Sequence, residues 1–301
     1  MSLHRCLETK TMMIGFVRKL IVIFTLTFAS TYANAIEVVK YIANNSGVAE
    51  DYYLEVLETA LKITEPKYGA YRIDFTHEQL SSERKHDLLI AGERLNIDRI
   101  VSFHQPTGRR SALLYINVPL LRGFMGYRIA LIRSQSQARF DQVNNLNDLK
   151  KISLGLGKGW EGYIYKENGF TVNEPLTFDS LLKMLAGKRY DFVPLSVIEI
   201  EDTYDIDPEP IDKLVPEQHL LIHTELPNYF YVSPQVPILA ERLTLGLKTM
   251  QENGSLNKIF EKHFSARLKR LDLKHRKIIE VPNSQDDGSL KFLEFNALEK
   301  Y

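Results

Sequence analysis

The sequence is almost free of cysteine. Its one cysteine, Cys6, stands near the N-terminus of a 301-residue chain. That excludes an internal disulfide and leaves the remainder without thiol chemistry or a cysteine metal ligand. Tryptophan is equally scarce, with Trp160 alone. A charge excess of either sign is also missing. Basic and acidic residues number 38 each, so there is no electrostatic footprint for nucleic acid and no polybasic membrane patch. No apolar run reaches the roughly 20 residues of a spanning helix. Catalytic signatures are absent too. The chain holds no G-x-S-x-G, no H-E-x-x-H and no G-x-x-x-x-G-K-[ST], and its eight histidines are scattered. No metal or cofactor is expected.

What is present begins with an export pattern. Arg18 and Lys19 precede the apolar run Leu20–Ala29, and Ala33-Asn34-Ala35 supplies small residues in an A-x-A arrangement. A basic start, a short apolar run and small residues at the cut describe a cleavable signal peptide, here residues 1–35. The run is about half the length of a spanning helix, which argues against a retained anchor. The segment before it is long, so Met12 or Met13 stands as an alternative start. Cleavage after Ala35 leaves 266 residues. It removes Arg5, Lys10, Arg18, Lys19 and Glu8, so the 38 basic and 38 acidic residues become 34 and 37. Cys6 precedes the apolar run and is not placed for lipid attachment. The expected location is the periplasm. An apolar fraction of 44% supports a core large enough to dispense with disulfides.

Strand and helix patterns alternate along the remainder, which predicts an α/β fold with mostly parallel sheet. Expected strands are Ile36–Ala43, Tyr71–Phe75, Ile100–Phe103, Gly126–Ile132, Lys151–Leu156, Tyr190–Pro194, His219–Thr224 and Tyr229–Val232. Expected helices are Glu50–Ile63, part of Glu78–Asn96, the Leu146–Leu149 turn, Trp160–Asn168, Thr177–Lys188, Ile238–Gln251 and Leu256–Phe264. Residues from about 270 onward read as an appended tail. The middle block carries its own βαβ units, and the flanking segments suit pairing with each other. The expected division is lobe 1 from 36–125 and 226–268, lobe 2 from 126–225, and an extension from 269–301.

Five motifs in order carry a family resemblance over about residues 36–265. They are Ser102–Arg109 (SFHQPTGR), Val118-Pro119-Leu120 before the Gly126 strand, Asn147–Lys150 with Ile152–Gly159, Leu182–Asp191 (LKMLAGKRYD), and Glu252–Leu256 with Ile259. Together the chain resembles the periplasmic solute-binding proteins of the polar amino-acid type, solute-binding family 3. The resemblance implies a two-lobed type II periplasmic-binding fold, each lobe a mostly parallel sheet flanked by helices. It implies a monomer that feeds a solute to an ABC permease or a sensor.

The resemblance also implies a site. Arg109 stands where the family holds the ligand's carboxylate, and a guanidinium fork suits that group; its neighbour Arg110 is the alternative. Ser102 and His104 stand where the same loop offers further contacts. Lys158 and Gly159 lie in a Gly-rich turn before a helix, which presents free N–H groups to an anion, or forms an ordinary βα turn. Trp160 stacks on a ligand or packs within its lobe. Asn44 follows the first strand, as a ligand contact or as part of an Asn-Asn-Ser-Gly turn. Ser196 holds the approximate place of the family's ammonium-binding Asp, with Glu199 one turn further on. That departure weakens an amino-acid ligand and leaves a carboxylate or another polar solute open. Glu199, Glu201 and Asp202 read as a solvated helix start. The function expected is capture of a small polar, carboxylate-bearing solute, with no enzymatic role. The alternatives are a dehydratase-like enzyme on the same fold and a ligand-free interaction protein.

Overall fold

The computed structural model describes residues 36–43, 47–101, 111–157, 161–204, 214–284 and 296–301. The expected signal peptide, residues 1–35, lies outside the described residues. The chain opens with β1 (Glu37–Ala43), α1 (Val48–Tyr68), β2 (Tyr71–His77), α2 (Ser82–Ala91), β3 (Ile97–Val101) and β4 (Leu114–Tyr115). Next come β5 (Tyr127–Arg133), α3 (Gln137–Phe140), α4 (Leu146–Leu149), β6 (Leu154–Gly155), α5 (Glu161–Glu167), β7 (Val172–Asn173) and α6 (Phe178–Ala186). Then follow β8 (Phe192–Ser196), α7 (Ile200–Tyr204), β9 (Leu214–Pro216), β10 (Leu220–His223), β11 (Asn228–Val232), α8 (Pro237–Glu252), α9 (Ser255–Arg270), β12 (Lys277–Glu280) and α10 (Asn296–Glu299).

The segments before and after the middle block form two small sheets that lie side by side and together make the first sheet layer. β1 pairs in parallel with β2, and β11 runs antiparallel between β3 and β4. The Asn96 side chain joins the two sets. Its Oδ1 accepts from Lys40 N at 2.7 Å and its Nδ2 donates to Val38 O at 2.8 Å, replacing the ladder bonds a strand would give β1. Helix α1 buries the stripe Tyr52, Tyr53, Val56, Leu57, Ala60 and Leu61, the spacing of one helix face. Helix α8 crosses α1 at Gly246, where a β-carbon would lie 2.5 Å from Ala60 O. Beside it, the fully buried Arg242 pairs with Glu37 at 2.9 Å and donates to Thr64 Oγ1, Leu61 O and Gly69 O.

The middle block, joined by β12 of the tail, forms a second, mixed sheet in the order β12-β10-β5-β8-β6-β7, with β9 on β5. β5 reads YRIALIR and is buried along nearly its whole length, as a central strand should be. Two crossovers between the sheets run side by side. Thr224 N donates to Gly126 O at 3.1 Å, and a β-carbon on Gly126 would lie 2.2 Å from Thr224 O.

Several boundaries differ from expectation. β8 starts two residues late because Tyr190 and Asp191 are used elsewhere: the Tyr190 hydroxyl donates to Leu181 O, and Asp191 accepts from Ser153 N and Oγ at 3.1 and 2.9 Å. β3 shifts toward the N-terminus, where Asn96 and Ile97 enter the core. The tail is no appendage to the fold. Its β12 extends the second sheet in parallel beside β10.

Candidate functional site

In open α/β sheets ligands bind beyond the carboxyl ends of strands. Here β1, β3, β6 and β8 end at Ala43, Val101, Gly155 and Ser196. Most of the expected site residues follow those ends. Asn44, Ser102, His104, Arg109, Lys158, Gly159 and Trp160 lie outside the described residues, as does Arg110. Ser196 is described. It is fully buried and sits opposite Arg128 on β5. Its Oγ accepts from Ile198 N at 3.2 Å and its carbonyl accepts from Glu199 N at 2.9 Å. Ser196 therefore shapes the turn that carries Glu199.

Around these strand ends lie buried polar groups that the motifs did not reveal. On the first sheet, Arg99 of β3 donates to Glu50 Oε2 at 3.2 Å, and the Tyr41 hydroxyl donates to Glu50 Oε1. Glu50 stands in the first turn of α1, where the helix dipole favours a carboxylate. The Arg99 guanidinium carbon lies 4.5 Å from the centre of the Tyr53 ring. Burial works against the Arg99 charge, but Tyr53, Tyr41, Glu50 and Glu199 hold its pKa well above the ordinary value.

On the second sheet, Arg128 is buried in β5 and donates from Nη1 to Pro194 O at 3.0 Å. Its Nη2 lies 2.8 Å from Glu161 Oε1 at the start of α5. The angles fall outside hydrogen-bond geometry, so the pair is held by charge. Burial pushes the Glu161 carboxyl upward; Arg128 opposes this and Glu199 adds to it. Glu199 thus lies near enough to bear on Arg99 of β3 and Tyr53 of α1 on one side and on Glu161 of α5 on the other. Tyr53 Oη, Tyr165 Oη, Arg128 Nε and Glu161 Oε1 are among the buried atoms with no hydrogen-bond partner among the described residues. Unpaired buried donors are costly, and at a functional site they are groups kept for another partner.

A sequence signal for two of these residues exists: an arginine inside an apolar strand, as in IDRIV and YRIALIR, needs a buried counter-charge. The acidic run differs from its expected solvated state. Glu201 is 8% exposed and both its oxygens accept from Arg270; Asp202 pairs with Arg267. The partners stand on α9, far along the chain, so local composition could not reveal them. Among the described residues, no group of three or more His, Cys, Asp or Glu is placed to hold a metal ion, and no helix is long and apolar enough to cross a membrane.

No family model matches the sequence, and no curated protein does. Solved structures do. A histidine kinase sensor domain with similarity to periplasmic binding proteins aligns at TM-score 0.51 and 15% identity, over 76% of this chain and 96% of its own. A structure from work on glutathione import via GshT and the cystine ABC importer TcyBC of Streptococcus mutans aligns at 0.51 and 17%, over 76% and 95%. The GluR0 ligand-binding core in complex with L-glutamate aligns at 0.51 and 15%, over 77% and 99%. Each neighbour is covered almost whole, while about a quarter of this chain lies beyond the shared part.

Proposed function

We propose that this chain, which has the two-lobed α/β fold of the periplasmic binding proteins, captures a small polar, carboxylate-bearing solute between its lobes outside the cytoplasm. The lobes are 36–125 with 226–268, and 126–225 with the tail strand β12 added to its sheet, and the signal peptide is cut after Ala35. The observation that carries the reading is Glu199. It leaves the second sheet at the end of β8, and its carboxylate lies near enough to bear on the ionisation of Arg99 of β3 and Tyr53 of α1 on the first sheet's side. Charged, partly buried groups brought together from both sheets at their strand ends support a polar-ligand site there.

Arg109 is the carboxylate anchor. Ser102, His104 and Asn44 complete the wall of the first lobe, and Lys158, Gly159 and Trp160 that of the second, where Ser196 shapes the turn that carries Glu199. The solute passes to an ABC permease or to a sensor, contexts named for two of the structural neighbours. The test is a thermal-shift screen of residues 36–301 against organic acids, amino acids and polyamines. A ligand bound only by the folded state raises its apparent stability. At least one solute raises Tm, and Arg109→Ala removes the shift. Hits that all survive Arg109→Ala refute the anchor.

One observation favours a second reading. Glu161 is half-buried, with its Oε1 buried and without a hydrogen-bond partner among the described residues, and burial pushes its pKa upward, the setting of a general acid. A dehydratase-like enzyme would consume the solute at substoichiometric protein, so product analysis of each hit separates the two.

A further inference from the structure

The chain joins the two sheets a third time. Helix α9 packs on α1 of the first sheet, with Phe264 5.1 Å from Tyr52 between ring centres. It then runs through residues 271–276 into β12 of the second sheet. Arg276 pins this passage by donating to Leu271 O at 2.8 Å, to Glu217 O at 2.5 Å and to Leu220 O at 3.2 Å. The position of entry matters. The first two crossovers meet at the end of β10, where His223 stands opposite Tyr127. The third enters at the start of β10, where Lys277 stands opposite Leu220. Three residues of strand separate these points, about 10 Å at the rise of a β-strand. Two adjacent crossovers make a hinge axis. A third connection displaced from that axis must stretch when the hinge turns.

Ion pairs fasten the same helix to the second sheet. Helix α7 leaves β8 with Glu201 and Asp202 in its first turn, and α9 ends with Arg267 and Arg270 in its last. Each charge stands at the helix end that its sign favours. Arg270 grips Glu201 with two bonds, Nε to Oε1 at 3.0 Å and Nη2 to Oε2 at 2.5 Å. Arg267 Nη1 lies 2.7 Å from Asp202 Oδ1 and its Nε 3.8 Å from Glu201 Oε2. A two-pronged pair on a buried carboxylate is stronger than an exposed point contact. Asp202 also faces the start of α1: its Oδ2 lies 3.2 Å from where a β-carbon on Gly47 would stand.

We infer that α9, with the 271–276 connection, is a latch that holds the lobes together, and that the cleft opens by parting Arg270 from Glu201 and Arg267 from Asp202. The latch regulates the solute site proposed above and rests on that two-lobe reading. Release lets the hinge turn until the third connection is taut, so the opening is small and sensitive to salt.

The test measures the distance between spin labels on the exposed positions Glu58 and Gln142, one on each lobe, by pulsed electron resonance. The protein carries Glu58→Cys and Gln142→Cys, with Cys6→Ser. At low salt the unaltered latch gives one narrow distance. Glu201→Gln with Asp202→Asn keeps the side-chain shapes and adds a longer, broader population. Exchanging the charges, Glu201→Arg with Arg270→Glu, restores the narrow one. If the neutral variant does not fold, the unaltered latch taken to about 1 M salt, where the screening length is about 3 Å, broadens in the same way. A distribution that neither neutralisation nor salt changes overturns the latch. Thermal shifts of the same proteins with the solute panel decide the binding reading separately: if no solute shifts any of them, that reading fails while the distances still judge the latch.

Discussion

Arg128 and Glu161 face each other at 2.8 Å inside the second sheet's side, and Arg128 Nε has no hydrogen-bond partner among the described residues. The pair is buried and only partly satisfied. Removing one member strands the other, and breaking a buried pair costs about 3–5 kcal/mol. Arg128→Met should lower unfolding stability by an amount in that range. Arg128→Met combined with Glu161→Gln should recover most of it. Urea denaturation of the two variants checks both outcomes; equal losses would show that the pair is not coupled.

The same carboxyl sets a pH dependence. Burial raises the Glu161 pKa above its unfolded value, with Arg128 opposing and Glu199 adding. The folded state therefore binds this proton more tightly than the unfolded chain does. By linkage its ionisation weakens folding: the contribution is least favourable above the raised folded pKa and is relieved as pH falls toward the ordinary carboxylate range. Denaturation from pH 8 to pH 4 should show wild type gaining stability relative to Glu161→Gln. The opposite slope would mean that Arg128 outweighs burial.

Arg242 is a structural counterpart. It is wholly buried, and its guanidinium bonds Glu37, Thr64 Oγ1, Leu61 O and Gly69 O. Arg242→Ala should cost about 3–5 kcal/mol. Arg242→Lys should rescue little, because a point charge cannot serve four acceptors spread around a planar fork. Urea midpoints of both variants check this.

Close backbone contacts give a third kind of test. A β-carbon at Gly246 would meet Ala60 O at 2.5 Å, and one at Gly126 would meet Thr224 O at 2.2 Å. Overpacking of this kind costs about 1–3 kcal/mol. Gly246→Ala should lower Tm alone. Gly126→Ala lies where the two crossovers touch, so it should also change the interlobe distance distribution.

Much of the fold is legible in the sequence where burial is continuous or periodic. YRIALIR could only be a central strand, and the apolar face Leu181, Leu182 and Leu185 of α6 announces itself at helical spacing. β4, β7 and β9, of two or three residues each, carry too little pattern to be read. The KIIE strand β12 was expected as tail because its partner, β10, lies more than fifty residues away. The locus of Arg99, Glu50, Arg128 and Glu161 stayed hidden for a similar reason. Each charge looks solvated until the fold brings its partner beside it. Seven of the eight expected site residues follow strand ends outside the described residues, so the resemblance alone places them.

The account's central claim is capture of a solute by groups of both lobes, and calorimetric titration of a thermal-shift hit tests it most directly. The account predicts one solute bound per chain, unchanged at the end of the titration. It predicts a loss of about 1.5–3 kcal/mol in Arg109→Ala, as for a hydrogen bond to a charged group. Affinity untouched by Arg109→Ala, or a solute consumed during the titration, would contradict it.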